Sequence, residues 1–260
     1  MRMTSFGSGD PVLVLVHGLA CDGTDWAAQV ASLASRSTVV VCELPGHGST
    51  PGTPAQCSIE AYGAALARGV ADLGVGPAIL VGHSMGCRVV LQACRVEPTA
   101  VSGLVLLDGS RIADGDPQAA ERAMAEELTG DGYRRFIRRF FESMLVSDPV
   151  LAESITARGL RLPAELGRGL VSGLAGWDAG EVPGALDAVG VPVLAIQATT
   201  MDTARQRMSM SAGQRSPWLD LVRAHVAGAE VAVLTGSGHF PQIERADEVS
   251  ALIADFARLR

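Results

Sequence analysis

Gly82-His83-Ser84-Met85-Gly86 places one serine between two glycines, each two positions away. The apolar run Ala78–Val81 precedes this segment, and an amphipathic stretch opens at Met85. A strand, a tight turn and a helix in that order force the central residue into a strained backbone and lift its side chain above the sheet edge. Side chains two positions away would clash, hence the glycines. The start of the helix also aims N–H groups at any anion that develops there. Ser84 therefore reads as a nucleophile. The plainer alternative is a passive serine in a glycine-rich turn.

A serine hydroxyl is a weak nucleophile and needs a base within hydrogen-bond reach. The sequence offers five histidines. His83 adjoins Ser84, but successive side chains in such a turn point apart. His225 falls within a helical stretch. His17 and His47 sit in early loops, where each has a structural reading. His239, in Gly236-Ser237-Gly238-His239-Phe240, lies just beyond the last strand signal, Glu230–Leu234. It is the expected base; otherwise it is a loop histidine capping the last helix. A third segment, Val16-His17-Gly18-Leu19-Ala20, follows the apolar run Val12–Val16. Gly18 lets the chain turn, so that the Leu19 N–H, together with that of Met85, could stabilise an oxyanion. The alternative is an ordinary strand-end turn with His17 bonded to the backbone. Pro45-Gly46-His47-Gly48-Ser49 ends another strand and reads as structural.

These loops need a scaffold, and the rest of the chain supplies one. Short β-branched runs alternate with amphipathic stretches, the signature of a mostly parallel α/β sheet flanked by helices. Strands are expected at Val12–Val16, Thr38–Leu44, Ala78–Val81, Gly103–Leu107, Val193–Ile196 and Glu230–Leu234. They are mostly apolar rather than alternating, as expected for strands buried on both faces. Helices are expected at Thr24–Ser35, Ile59–Leu73, Met85–Val96, Pro217–Val226 and Asp247–Leu259, with Asp25 and Ser58 near their starts as caps. Between Gly109 and Val191 the strand rhythm stops. Helical segments at Glu121–Leu128, Tyr133–Leu145 and Asp148–Arg158 fill a stretch too long for a plain connection. Residues 112–185 are thus expected to form a helical cap inserted into a core of residues 1–111 and 186–260.

VHGLA, ELPGHGS, GHSMG and GSGHF, in this order and spacing, resemble the α/β-hydrolase superfamily over nearly the whole chain. The resemblance implies a nucleophile–acid–histidine order in which Ser84 and His239 fill the first and third roles. It also implies esterases, lactonases, haloperoxidase-like perhydrolases and carbon–carbon bond hydrolases as relatives. The acid has two candidates. Relatives usually carry it after the strand that follows the cap, often in a Gly-x-x-Asp loop. Here that strand runs into Gln197-Ala198-Thr199-Thr200-Met201-Asp202, which lacks the glycine. Some relatives, including lactonases similar to zearalenone hydrolase, take the acid from the preceding strand end, where Asp108 stands. Asp108 is favoured because it leaves a buried strand on a short tether at the carboxyl edge of the sheet. Asp202 lies on a loop running through Thr203 to Ser216 with little pattern.

Composition narrows the partners. The net charge is −7 and all 21 basic residues are arginine. An acidic surface repels phosphate backbones, so nucleic acid is not expected. Without lysine there is no P-loop lysine and no Schiff base. Five cysteines without a CxxC pair argue against a disulfide framework and fit a reducing cytoplasm. There is no signal-peptide pattern at Met1–Asp10 and no apolar run long enough for a membrane span. No cofactor and no metal are implied, and the oligomeric state stays open. In the cap, Phe136, Ile137, Phe140 and Phe141 share one helical face, with arginines around the other. One of those arginines could hold a carboxylate, although plain amphipathic packing explains them as well. Met124, Met144, Met201, Met208 and Met210 could line an adaptable apolar pocket. The expected substrate is a small, largely apolar ester or lactone, cleaved through an acyl-enzyme. Cleavage of a diketone carbon–carbon bond is the alternative. A cofactor-free oxygenase and a non-catalytic small-molecule receptor on the same fold fit less well.

Overall fold

The computed structural model describes residues 1–142, 144, 148–202 and 206–258. Among them, seven strands form the main sheet: β1 (Arg2–Phe6), β2 (Val12–Val16), β3 (Thr38–Glu43), β4 (Ala78–His83), β5 (Val101–Leu107), β6 (Val193–Gln197) and β9 (Glu230–Val233). Their spatial order is β1-β3-β2-β4-β5-β6-β9, parallel except for β1. β7 (Thr199–Met201) and β8 (Arg207–Ser209) form a separate antiparallel hairpin. The central strands β2 and β4 are buried at every position, which explains their unbroken apolar sequence. β1 escapes the sequence reading because Arg2–Phe6 is an exposed edge strand with no apolar run. The hairpin β7–β8 also goes unannounced, and its second strand falls within the Thr203–Ser216 loop expected to have little pattern.

Helices cover both faces of the sheet. They are α1 (Ala27–Leu33), α2 (Ile59–Leu73) and α3 (Met85–Val96), then α9 (Pro217–His225), α10 (Pro241–Glu244) and α11 (Ala246–Arg258) after the insertion. Within it come α4 (Pro117–Glu127), α5 (Gly132–Glu142), α6 (Pro149–Gly159), α7 (Ala164–Gly180) and α8 (Val182–Asp187). Ser58 caps α2 as expected, accepting the Ala61 N–H at 3.1 Å. Asp25 does not cap. The helix expected from Thr24 opens as a 3-10 turn, Gly23–Trp26, and its cap is Asp22, which accepts the Thr24 N–H at 3.0 Å. Asp25 is buried instead and pairs with Arg158 of α6, which also reaches Asp22 at 3.1 Å. The expected helix ends Leu145 and Leu259 lie outside the described residues, as does Thr203.

The insertion between β5 and β6 is helical, but its longest helix, α7, was not foreseen. Five glycines in Ala164–Gly180 each cost roughly 1 kcal/mol of helix propensity against alanine, so local sequence argues against the helix. Packing explains them in part. A Cβ at Gly180 would come 2.7 Å from Pro117, and one at Gly167 would come 2.1 Å from the Tyr133 ring. Small residues let α4 and α5 lie close against α7. The five cysteines are free and buried. Among the described residues, no helix is long and apolar enough to cross a membrane.

Candidate active site

Ser84 stands between β4 and α3 with φ of 55° and ψ of −114°. A non-glycine residue there carries strain of about 1–3 kcal/mol, which the surroundings must hold. They do so with two backbone bonds: Ser84 N–H donates to Leu107 O at 2.9 Å, and Cys87 N–H donates to Ser84 O at 3.0 Å. A Cβ at Gly82 would lie 2.3 Å from Gly86 O, and one at Gly86 would lie 2.4 Å from Val16 O. Both glycines are therefore required by space. Gly18 is pressed against the same turn, since a Cβ there would sit 3.2 Å from the Ser84 Cβ. The loop that carries Leu19 thus abuts the serine, and Leu19, Ser84 and Met85 line one cavity.

His239 is brought to Ser84 from the far end of the chain. Its Nε2 is 2.8 Å from Ser84 Oγ and its Nδ1 is 2.6 Å from Asp108 Oδ2. With the proton on Nδ1, the ring donates to Asp108 and accepts from the serine hydroxyl. Two further groups fix the histidine backbone: its N–H donates to Met144 O at 2.6 Å, and His83 Nε2 donates to its carbonyl at 2.6 Å. Burial lowers the His239 pKa well below the ordinary histidine value, and the charges of Arg207 and Arg88 lower it further. The imidazole is therefore neutral near pH 7, as a general base must be.

Asp108 ends β5 with φ of 45°. Its Oδ1 accepts the Ala198 and Thr199 N–H groups at 2.7 and 2.8 Å. Its Oδ2 accepts the Thr199 hydroxyl at 2.6 Å as well as His239. Burial leaves the Asp108 pKa above the ordinary carboxylate value, although Arg207 and the Thr199 and Ala198 donors pull it down. Four donors leave the carboxyl only accepting, which is the role of the ionised form. The rival acid, Asp202, is exposed. Its carboxylate accepts the Gln206 N–H at 2.8 Å within the β7–β8 hairpin.

The other histidines are structural or peripheral. His17 Nδ1 donates to Gly18 O at 2.8 Å, and its Nε2 accepts the Leu44 N–H at 3.1 Å. Burial lowers the pKa of His17 to about 4 and those of His47 and His83 to about 3. His225 sits at the end of α9, 2.8 Å from Asp187.

Two buried arginines complete the site, and sequence reasoning missed both. Arg88 of α3 binds Asp178 of α7 through two bonds of 2.7 Å, and its Nη1 donates to Ser84 O at 3.0 Å. Arg207 of β8 donates to Thr199 Oγ1 at 3.0 Å and to Ser110 Oγ at 2.9 Å. No motif marks either residue. The one available signal was Arg88 four residues after the serine, on the same face of α3.

Above Ser84 lies a cavity of about 410 Å³. Met124, Phe136, Phe140 and Met144 from the insertion form much of its apolar wall, with Met201 from the hairpin. Of the other methionines expected there, Met208 is half exposed and Met210 is packed in the core instead. On α5, Ile137 and Phe141 are buried as anchors, whereas Phe136 and Phe140 stack at 5.4 Å and face the cavity. Arg139 also lines it, 3.5 Å from Glu127.

The alpha/beta hydrolase family pattern matches residues 13–252. The pimeloyl-[acyl-carrier protein] methyl ester esterase of Stenotrophomonas maltophilia is 28% identical over 98% of this chain and 96% of its own. The dihydrolipoyllysine-residue acetyltransferase component of the acetoin cleaving system of Cupriavidus necator is 26% identical over 97% of this chain. The chain spans 65% of the length of that relative. Among solved structures, the enol-lactonase of Burkholderia xenovorans superposes with a TM-score of 0.78. It is 21% identical, over 98% of this chain and 95% of its own. The chain belongs to the α/β hydrolase family. It is a hydrolase.

Proposed function

We propose that this protein is a serine hydrolase that cleaves a small, largely apolar ester or lactone through an acyl-enzyme. The carrying observation is the line of contacts Ser84–His239–Asp108, with bonds of 2.8 and 2.6 Å on the two imidazole nitrogens. His239 takes the proton as Ser84 Oγ attacks the acyl carbon, then returns it to the leaving oxygen. Asp108 holds the ring in the tautomer that leaves Nε2 free to accept. The backbone N–H groups of Leu19 and Met85 stabilise the oxyanion. Water activated by His239 then releases the acyl group. Asp108 rather than Asp202 is the acid.

Residues 112–185 act as a cap over this core, supplying the apolar wall. Asp178 of α7 ties it to the core through its pair with Arg88. The esterase relative, similar over nearly its full length, supports an ester-type substrate, and the Phe136–Phe140 wall supports an apolar one. The reduced, buried cysteines suit a cytoplasmic protein. A fluorophosphonate probe and a chromogenic short-chain ester test the reading. Mass spectrometry should find the adduct on Ser84, and Ser84→Ala should abolish both labelling and turnover. An adduct on another serine, or none on folded protein, would refute it.

A further inference from the structure

The hairpin β7–β8 belongs to no part of the main sheet, yet it reaches both Asp108 and the loop that carries His239. On the first strand side Ala198 and Thr199 wrap the Asp108 carboxylate with two N–H groups and one hydroxyl. Directly opposite Thr199 on the second strand, Ser209 donates to Ser237 O at 2.7 Å, two residues before His239. Arg207 begins that second strand, opposite Met201, with its side chain 4% exposed. Its guanidinium is 3.8 Å from Asp108 Oδ2, too far for a hydrogen bond and close enough for strong attraction in a buried site. The hydrogen bonds run instead to Thr199 Oγ1 and to Ser110 Oγ, which flank the carboxylate.

We propose that Arg207, acting through Thr199, is a positioning residue that keeps the Asp108 carboxylate ionised and aimed at His239. This rests on the serine-hydrolase reading above. The Thr199 hydroxyl carries one proton. Arg207 occupies its oxygen as a donor, so that proton has to point to Asp108. Without Arg207 the hydroxyl could turn, and one oxygen of the acid would lose its fixed partner.

Charge reinforces the geometry. The groups facing His239 are Asp108 from β5, His83 from the elbow, Arg207 from β8, and Arg88 from α3 with its partner Asp178 from α7. The His83 ring lies 4.8 Å from that of His239 and is neutral. Two arginines and two aspartates balance, so a proton on His239 in the free enzyme adds an uncompensated buried charge. During acylation the imidazolium is matched by the oxyanion, and the balance returns. Arg207 thus disfavours protonation of His239 before substrate binds.

The test uses the full chain with p-nitrophenyl acetate, a neutral ester. In Arg207→Met, kcat at neutral pH should fall at least about tenfold, the weight of one hydrogen bond to a charged group, with KM little changed. The acidic limb of kcat/KM should move up by about one pH unit, because the lost positive charge no longer opposes the proton on His239. The downfield proton resonance of the His239 Nδ1–H should shift or vanish. Arg207→Lys should restore the limb. An unmoved limb and resonance in Arg207→Met overturn the inference. So does a loss confined to KM for an anionic ester, which would make Arg207 a substrate holder. If Arg207→Met does not fold, Thr199→Val decides: a lowered kcat and an altered resonance support the relay, and wild-type behaviour overturns it. Turnover surviving in Ser84→Ala would defeat the serine reading and the inference with it. A dead Ser84→Ala beside an unmoved limb in Arg207→Met defeats the inference alone.

Discussion

The carboxyl edge of the sheet and the helical segment between β5 and β6 meet above Ser84, and they hold their side chains by different means. At the sheet edge almost every contact is directional. Asp108 N–H donates to Ile196 O at 2.7 Å, its carboxylate takes four donors, and the Ser84 backbone is pinned to Leu107. In the helical segment the cavity wall is made by Met124, Phe136 and Phe140, whose contacts are largely van der Waals and tolerate repacking. Among the described residues, two buried charged contacts join the inserted helices to the core. Arg88–Asp178 is fully buried, and Arg158 with Asp22 and Asp25 is mostly so. Groups that exchange protons need fixed distances, and hydrogen bonds to a rigid sheet provide them. Groups that only shape a cavity can sit on helices that vary.

The contrast makes graded predictions. Loss of Ser84 or of His239 should lower kcat by about 10⁴-fold or more. The double variant should be little worse than either single one, because the residues act as a unit. A chromogenic ester assay reads this, and additive losses would count against a shared mechanism. Asp108→Asn should fold normally, by circular dichroism, and lose on the order of 10⁴-fold in kcat, since an amide favours the wrong tautomer. Asp202→Asn should retain near-normal turnover. The reverse result would return the acid to the hairpin.

At the junction, Asp178→Asn leaves the Arg88 charge buried without its counter-ion. Breaking a buried pair in this way costs about 3–5 kcal/mol, so calorimetry should show a clear drop in Tm. An unchanged Tm would mean that the Ser84 and Ser110 carbonyls, which both also accept from Arg88, satisfy it alone. On the cavity wall, Phe140→Ala should leave turnover of a short ester nearly intact. It should change the preference between long and short acyl chains by about tenfold, the effect of altered apolar contact in a pocket. A loss of kcat as large as that of Asp108→Asn would show that the wall takes part in the chemistry.

Ser84, His239 and the Leu19 loop stand out as candidates in the sequence because their signals are local. Glycines two positions from the serine, a strand before it and a helix after it are all read within a few residues. The Asp108 position was legible as a strand end, but a second aspartate stayed open. A sequence does not show which loop folds back on His239. Asp202 turned out to bond within its own hairpin, which no period or propensity announced. The α7 helix was hidden for the opposite reason: its glycines lower local propensity, while tertiary packing against Pro117 and Tyr133 favours them.

What the sequence determined by itself was the alternation of strands and helices, the helical stretch after Asp108, the strained serine turn and the histidine that follows the last strand. Backbone preference and apolar patterning act over a few residues, so they can be read one segment at a time. Only the tertiary structure decided the partners. Arg88 meets Asp178 across 90 residues, and Thr199 meets Asp108 across 91. Both meetings depend on how distant elements pack against the same strand ends. The charge states of His239, Asp108 and Arg207 follow from that packing, because burial removes water and leaves only the neighbours the fold supplies.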